Sequence, residues 1–183
     1  MSIINNSGEQ SRYRLEASKK YVEEVCLSLN YYGVHKIVIV NGHGGNLPAL
    51  AELARELREQ DIFVSVFQWW PASAKLLLGL FSPEKRRHAG AEETSVNLAL
   101  HSKLVSMAKA VDEEPRRHVL QVEGMTLPLD SVDETGSGVF GKGSTASAEK
   151  GRKVLKAVVS EMVKHVELLK RAKIEDLMQK PKV

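Results

Sequence analysis

The sequence is poor in cysteine: Cys26 is the single one among 183 residues. One thiol excludes an internal disulfide and any paired-cysteine metal site, and it favours a reduced, cytoplasmic setting. Long apolar runs are also missing. The longest, Ile37–Val40 and Leu76–Phe81, fall far short of the ~20 residues of a membrane helix, so no membrane-spanning helix is expected. The opening MSIINNSGEQ holds no apolar signal core, which argues against secretion. Excess charge is scarce too. The 26 basic and 23 acidic side chains leave +3, too little and too dispersed for a nucleic-acid surface. What remains, 43% hydrophobic and 27% charged residues, is the balance of a soluble globule, and the length suits a single domain over 1–183.

The pattern along the chain alternates between helix and strand. Residues 1–15 are polar and aperiodic and read as an arm. From Glu16 to Tyr32, Val22, Val25, Cys26 and Leu29 follow helical spacing, and Gly33 stands where such a helix would stop. His35–Val40 is a short β-branched run, the signature of a strand buried on both faces. Leucines at 47, 50, 53 and 57 predict a helix over Leu47–Gln60, and Ile62–Gln68 reads as a second strand. Strand, glycine-rich turn, helix, strand is a βαβ unit, which implies an α/β fold with a parallel sheet. A helix to about Leu80, another around Ala91–Leu104 and a long one over Ala146–Arg171 are expected, with Met107–Ser144 mostly irregular and 172–183 a frayed tail.

Three segments could carry chemistry. The first is Asn41-Gly-His-Gly-Gly-Asn46, at the carboxyl end of the first strand, where ligands gather in open α/β sheets. Its glycines bare His43, which suits a metal ligand or an acid–base group, and the following helix aims its free N–H groups at the same space. The competing reading is a turn that simply needs glycine. The second segment is His88-Ala-Gly-Ala-Glu-Glu-Thr-Ser95, in which His88 and Glu93 converge as ligands or as a proton-transfer pair, unless the acidic residues only favour a helix start. The third, Gly136–Lys142, approaches a phosphate-loop pattern. It fails because Gly143 stands where Ser or Thr should bind magnesium and no buried strand precedes it. Trp69 and Trp70 end the second strand, where either walls a pocket or simply packs. Cys26 reads as a core residue with no basic neighbour to activate it.

Taken together, Ile37–Asn46, His88-Ala-Gly90, Glu93-Thr-Ser95, Gly138-Val-Phe-Gly141 and Ala146–Gly151 resemble the creatininase (creatinine amidohydrolase) family, in order and in spacing, over roughly 16–170. The resemblance implies a three-layer parallel sheet flanked by helices, often assembled into hexamers. It implies hydrolysis of a small-molecule C–N bond, in a cyclic amide or formamide, with one or two divalent ions such as zinc, manganese or iron. On that resemblance His43 is a metal ligand and His88 an active-site residue near the substrate. Glu93 supports metal or proton transfer, Gly44, Gly45 and Asn46 line the substrate, and Trp70 covers it. Creatininase proper has a metal-binding glutamate two residues after the motif histidine, where this chain has Gly45. Family members also begin with a strand bearing Glu-x-His and a later bridging aspartate. No Glu-x-His occurs in this sequence, so the fold is expected to be N-terminally incomplete. Three explanations stay open: a truncated product, one half of a split enzyme whose partner chain brings the missing ligands, or a chain that has lost catalysis and serves assembly or binding. A homo-oligomer is expected, with no nucleic-acid or membrane partner.

Overall fold

The computed structural model describes residues 15–82, 88–116, 127, 129 and 131–179. The polar arm expected over 1–15 lies outside these residues except for Leu15, as do the last four residues of the expected tail. The described residues form two compact units, one of 15–72 with 158–179 and the other of 73–157.

In the first unit, helix α1 (Leu15–Tyr31) ends where Gly33 takes a positive φ of 84°, a conformation open to glycine at no steric cost. Strand β1 (Lys36–Asn41), helix α2 (Leu47–Glu59) and strand β2 (Phe63–Gln68) follow. β1 and β2 pair in parallel, from Lys36 opposite Phe63 to Asn41 opposite Gln68, as a βαβ crossover requires. The leucine spacing of α2 places Leu50, Leu53 and Leu57 inward. Leu53 and Leu57 form a core with Cys26 of α1, Ile37 of β1, Ile62 and Val64. Leu53 and Leu57 are wholly buried, and each such side chain is worth about 1.5–3 kcal/mol. Burial also pushes the Cys26 thiol up from its ordinary pKa, so it is an inert core residue.

Two long cations close this unit. Lys36 Nζ donates to Leu169 O (2.9 Å), in the last turn of helix α7 (Ala148–Arg171), and to Ala172 O (3.1 Å), just beyond its end. The segment read as a frayed tail instead contains a short helix, α8 (Ile174–Leu177). Arg58 holds its end, donating to Leu177 O (2.6 Å) and Gln179 O (2.7 Å). Such long-range caps leave no periodic trace in a sequence. His165 of α7, otherwise unremarked, pairs with Ser65 of β2, Nε2 to Oγ being 3.0 Å.

The helix expected to run to Leu80 is two pieces, α3 (Trp69–Ala72) and α4 (Ala74–Leu80). Ser73, with φ −107° and ψ 9°, leaves the helical backbone between them. In the second unit, α5 (Ala91–His101) is shorter than expected and tightens into a 3₁₀ turn over Ser102–Leu104. The two-residue strands β3 (Asp112–Glu113) and β4 (Gly141–Lys142) pair antiparallel, with the single turn α6 (Ser131–Glu134) between them in sequence. α7 starts at Ala148 rather than Ala146, because Ser147 caps it by accepting the Lys150 N–H (3.3 Å). Its first turns cross α5 at Gly151, where an added Cβ would fall 1.9 Å from Ser95 O. Ser95, fully buried, accepts the Ser147 N–H (3.0 Å) at the same crossing. No helix among the described residues is long and apolar enough to cross a membrane.

Candidate functional site

The loop 41–46 is organised by one buried amide. Asn41 is 2% exposed at the carboxyl end of β1. Its Nδ2 donates to His43 O (2.8 Å), and its Oδ1 accepts the His43 N–H (3.2 Å) and Asn46 Nδ2 (3.3 Å). Both backbone polar groups of His43 are therefore fixed by a side chain anchored in the sheet. His43 itself is extended and exposed, and Gly44–Asn46 make a single 3₁₀ turn into α2. Asn46 commits its side chain to Asn41 and does not cap α2. The glycines have specific neighbours. A Cβ on Gly45 would lie 2.9 Å from Cε1 and 3.1 Å from Nδ1 of His43, so any side chain there would displace the imidazole. A Cβ on Gly44 would meet the Trp70 ring at 3.8 Å. Trp70 is thus beside the loop, itself held edge-on by Trp69 with ring centroids 5.9 Å apart. Of the residues singled out from sequence, His43, Gly44, Gly45, Asn46 and Trp70 come together in the first unit.

His88 and Glu93 belong to the second unit. Ala89 takes φ +54°, a left-handed conformation that costs an L-residue roughly 1–2 kcal/mol. The turn persists because several groups hold it. Glu93 Oε2 accepts the Ala89 N–H (2.8 Å), reaching back from the first turn of α5, while Thr94 Oγ1 donates to Ala89 O (3.4 Å). His88 O accepts the Phe140 N–H (2.8 Å), and the two rings meet edge to face with centroids 5.9 Å apart. Glu93 is therefore a turn-holding residue by its observed geometry, with one carboxylate oxygen already engaged.

The glycine-rich segment 136–145 binds the chain's own carboxylates. Glu113 accepts the N–H groups of Gly136 (2.7 Å) and Ser137 (3.0 Å) and the Ser137 hydroxyl (2.5 Å). Asp112 accepts the N–H (2.9 Å) and hydroxyl (2.6 Å) of Ser144. These bonds hold both carboxyls below their ordinary pKa range. The amides that a phosphate loop would offer to a nucleotide are thus occupied, a second reason to set that function aside. Asn41 and Phe140 entered the sequence reading only as members of the motifs Asn41–Asn46 and Gly138–Gly141, with no role of their own, and Asp112 and Glu113 not at all. An Asn closing a strand before a glycine turn is the one signal that could have marked the first of them.

Imidazole and carboxylate suit zinc or manganese in kind. In number they fall short, since a catalytic zinc takes three protein ligands and no group of three or more His, Cys, Asp or Glu able to hold a metal occurs among the described residues.

The architecture is a creatininase fold. A proposed creatinine amidohydrolase from Bacteroides fragilis aligns with a TM-score of 0.76 and 27% identity, covering 89% of this chain and 64% of its own. A mutant creatininase of the zinc–zinc type and a manganese creatininase align at 0.67 and 0.66, each 26% identical, over 84% of this chain and 63% of theirs. The family model for creatininase, described as creatinine amidohydrolase, matches residues 12–166, and the chain belongs to that family. It is 29% identical over 151 residues to the creatinine amidohydrolase of Pseudomonas putida, covering 75% of this chain and 57% of that one. With the mycofactocin precursor peptide peptidase of Mycobacterium tuberculosis it shares 31% over 172 residues, 87% of this chain and 61% of the relative. The chain thus spans about three fifths of the length of these curated relatives.

Proposed function

We propose that this chain is a metal-dependent amidohydrolase module that cleaves a C–N bond of the amide type. Hydrolysis of such a bond is the chemistry shared by the names of the two curated relatives, one acting on creatinine and one on a precursor peptide. A small cyclic amide or formamide is the preferred substrate in this reading. Creatinine itself is disfavoured, because Gly45 stands where creatininase carries a ligand, and a Cβ added there would meet the His43 ring at 2.9 Å. The observation that carries the proposal is the Asn41 clamp, which fixes both backbone groups of His43 while leaving its side chain exposed at a strand end.

In this reading His43 would be a ligand of a divalent ion, zinc, manganese or iron, Glu93 would serve as a metal ligand or proton-transfer group, and a partner chain would supply further ligands. Such an ion, when bound, would supply Lewis acidity toward the amide carbonyl and lower the pKa of water toward neutrality. Gly44, Gly45 and Asn46 leave room for the substrate beside the imidazole, and the Trp70 ring next to Gly44 excludes water from it. His88, held by its carbonyl and its ring, delivers a proton to the departing nitrogen. The setting is cytoplasmic, and the protein self-associates.

Equilibrium dialysis with zinc and with manganese, followed by metal analysis, tests this directly. The parent chain should bind one of the two ions, and His43→Ala should weaken binding by more than the roughly 10–100-fold cost of losing a supporting residue. Hydrolysis of creatinine, other cyclic amides, formamides and a short peptide is assayed alongside. Equal metal affinity in parent and variant would sink the proposal. A second reading, a catalytically incomplete subunit, is favoured by the shortage of ligands among the described residues. It is distinguished by hydrolysis that appears only when a second chain bearing Glu-x-His is added.

A further inference from the structure

Phe140 and the loop that carries it hold His88 from outside its own element. Gly138 and Gly141, at φ +75° and +104°, bracket Val139-Phe140, and both positive φ values require glycine. Val139 is 9% exposed and anchors the segment, while Phe140 sends its N–H to His88 O (2.8 Å) and its ring edge to the imidazole. The loop is tied at both ends. Glu113 grips Gly136 and Ser137, Asp112 grips Ser144, and the antiparallel pair β3–β4 joins the two grips. Gly143, also buried, brings the loop against the same turn. A Cβ there would lie 3.1 Å from Val111 O and 3.9 Å from Ala89 O. His88 therefore sits on a strained turn fixed from within by Glu93 and Thr94 and from without by Phe140.

We propose that Phe140, mounted by the Asp112–Glu113 clasp, is the positioning residue that sets the ring orientation of His88. The role of His88 in proton delivery rests on the function proposed above. The contact between the two rings does not. A main-chain hydrogen bond fixes where residue 88 lies, whereas rotation about its side-chain bonds is limited only by what the ring touches. An edge-to-face aromatic partner supplies that limit through the ring quadrupole. A displacement on the scale of 1 Å at a reacting group can cost about 100-fold in rate, so a side chain distant from the substrate can still govern turnover.

The test is proton–carbon NMR of the six histidine rings in the full chain at one fixed pH, with His88 assigned through His88→Gln. In the parent the His88 ring protons carry the ring-current displacement of an aromatic neighbour. Phe140→Leu should return them toward their free positions, and Phe140→Tyr should keep them displaced. Should Phe140→Leu fail to fold, Glu113→Ala, which frees the loop and keeps the aromatic ring, should move the same signals in the same direction. Unmoved His88 signals in these variants would overturn the proposal. Since the readout needs no substrate, a silent hydrolysis assay with these shifts intact counts against the proposed function alone.

Discussion

Two turns carry the candidate residues, and they are built on opposite principles. The 41–46 loop reaches its shape through glycine and is fastened at one point, the buried amide of Asn41, from which three hydrogen bonds radiate. The 88–93 turn keeps an unfavourable backbone angle at Ala89 and is fastened redundantly by Glu93, Thr94 and Phe140. A single hub gives a loop that one substitution can undo. Redundant fastening gives a turn that tolerates the loss of a clamp but depends on the helix beneath it.

That dependence gives the largest expected effect. Gly151→Ala would push a methyl into the Ser95 carbonyl, backbone against backbone, where neither side can yield by turning a rotamer. Overpacking commonly costs about 1–3 kcal/mol, and this variant should reach or pass the top of that range in a denaturant titration. A native-like midpoint would mean that α5 and α7 can separate freely, leaving the 88–93 turn without its foundation.

The next effect sharpens the comparison itself. Asn41→Ala should cost about 1–3 kcal/mol, the penalty for partners left unmatched near a buried site. It should also accelerate hydrogen exchange at the His43 and Asn46 amides together. Thr94→Val removes one clamp of the other turn and should leave exchange at Ala89 nearly unchanged. If Thr94→Val loosens its turn as much as Asn41→Ala loosens the loop, the distinction between hub and redundant fastening is lost.

The smallest effect is set by acid. Asp112 and Glu113 have folded-state pKa values below their ordinary ones, so their bonds contribute fully above about pH 5, where the unfolded carboxyls are also ionised. The contribution is lost as pH falls through the lowered values. Protection factors of the Gly136, Ser137 and Ser144 amides, corrected for the intrinsic exchange rate at each pH, should therefore fall on acidification, before global unfolding, while those of the 41–46 loop, held by uncharged amides, stay as they were. Simultaneous loss in both places would contradict this order.

How well the sequence could be read follows the same division. Strand β1 was legible from its β-branched run Ile37-Val-Ile-Val40, although Val40 is 59% exposed rather than buried, and helix α2 from the leucines at 47, 50, 53 and 57, the last three of which are buried. The residues of the 41–46 loop were visible as an unusual cluster, but the reason for Asn41 was not, because only coordinates show its amide turned inward. The region after Met107 read as irregular, and in backbone terms it largely is. Its order comes from Asp112 and Glu113 reaching amides 23–32 residues away, which no local period records. The His88–Ser95 segment marked His88 and Glu93 as candidates, and the family resemblance agreed, but neither gave a hint that one oxygen of Glu93 is engaged by its own turn.

The ammonium of Lys36 has a consequence for time as well as for space. It joins the first residue of β1 to carbonyls more than 130 positions later, so the unit containing the sheet is assembled from the two ends of the described chain. During synthesis Lys36 must wait for these acceptors until α7 has left the ribosome. The intervening residues, continuous in sequence, are free to fold first. Such distant closure slows folding, and it makes the late arrival of α7 the step that seals the molecule.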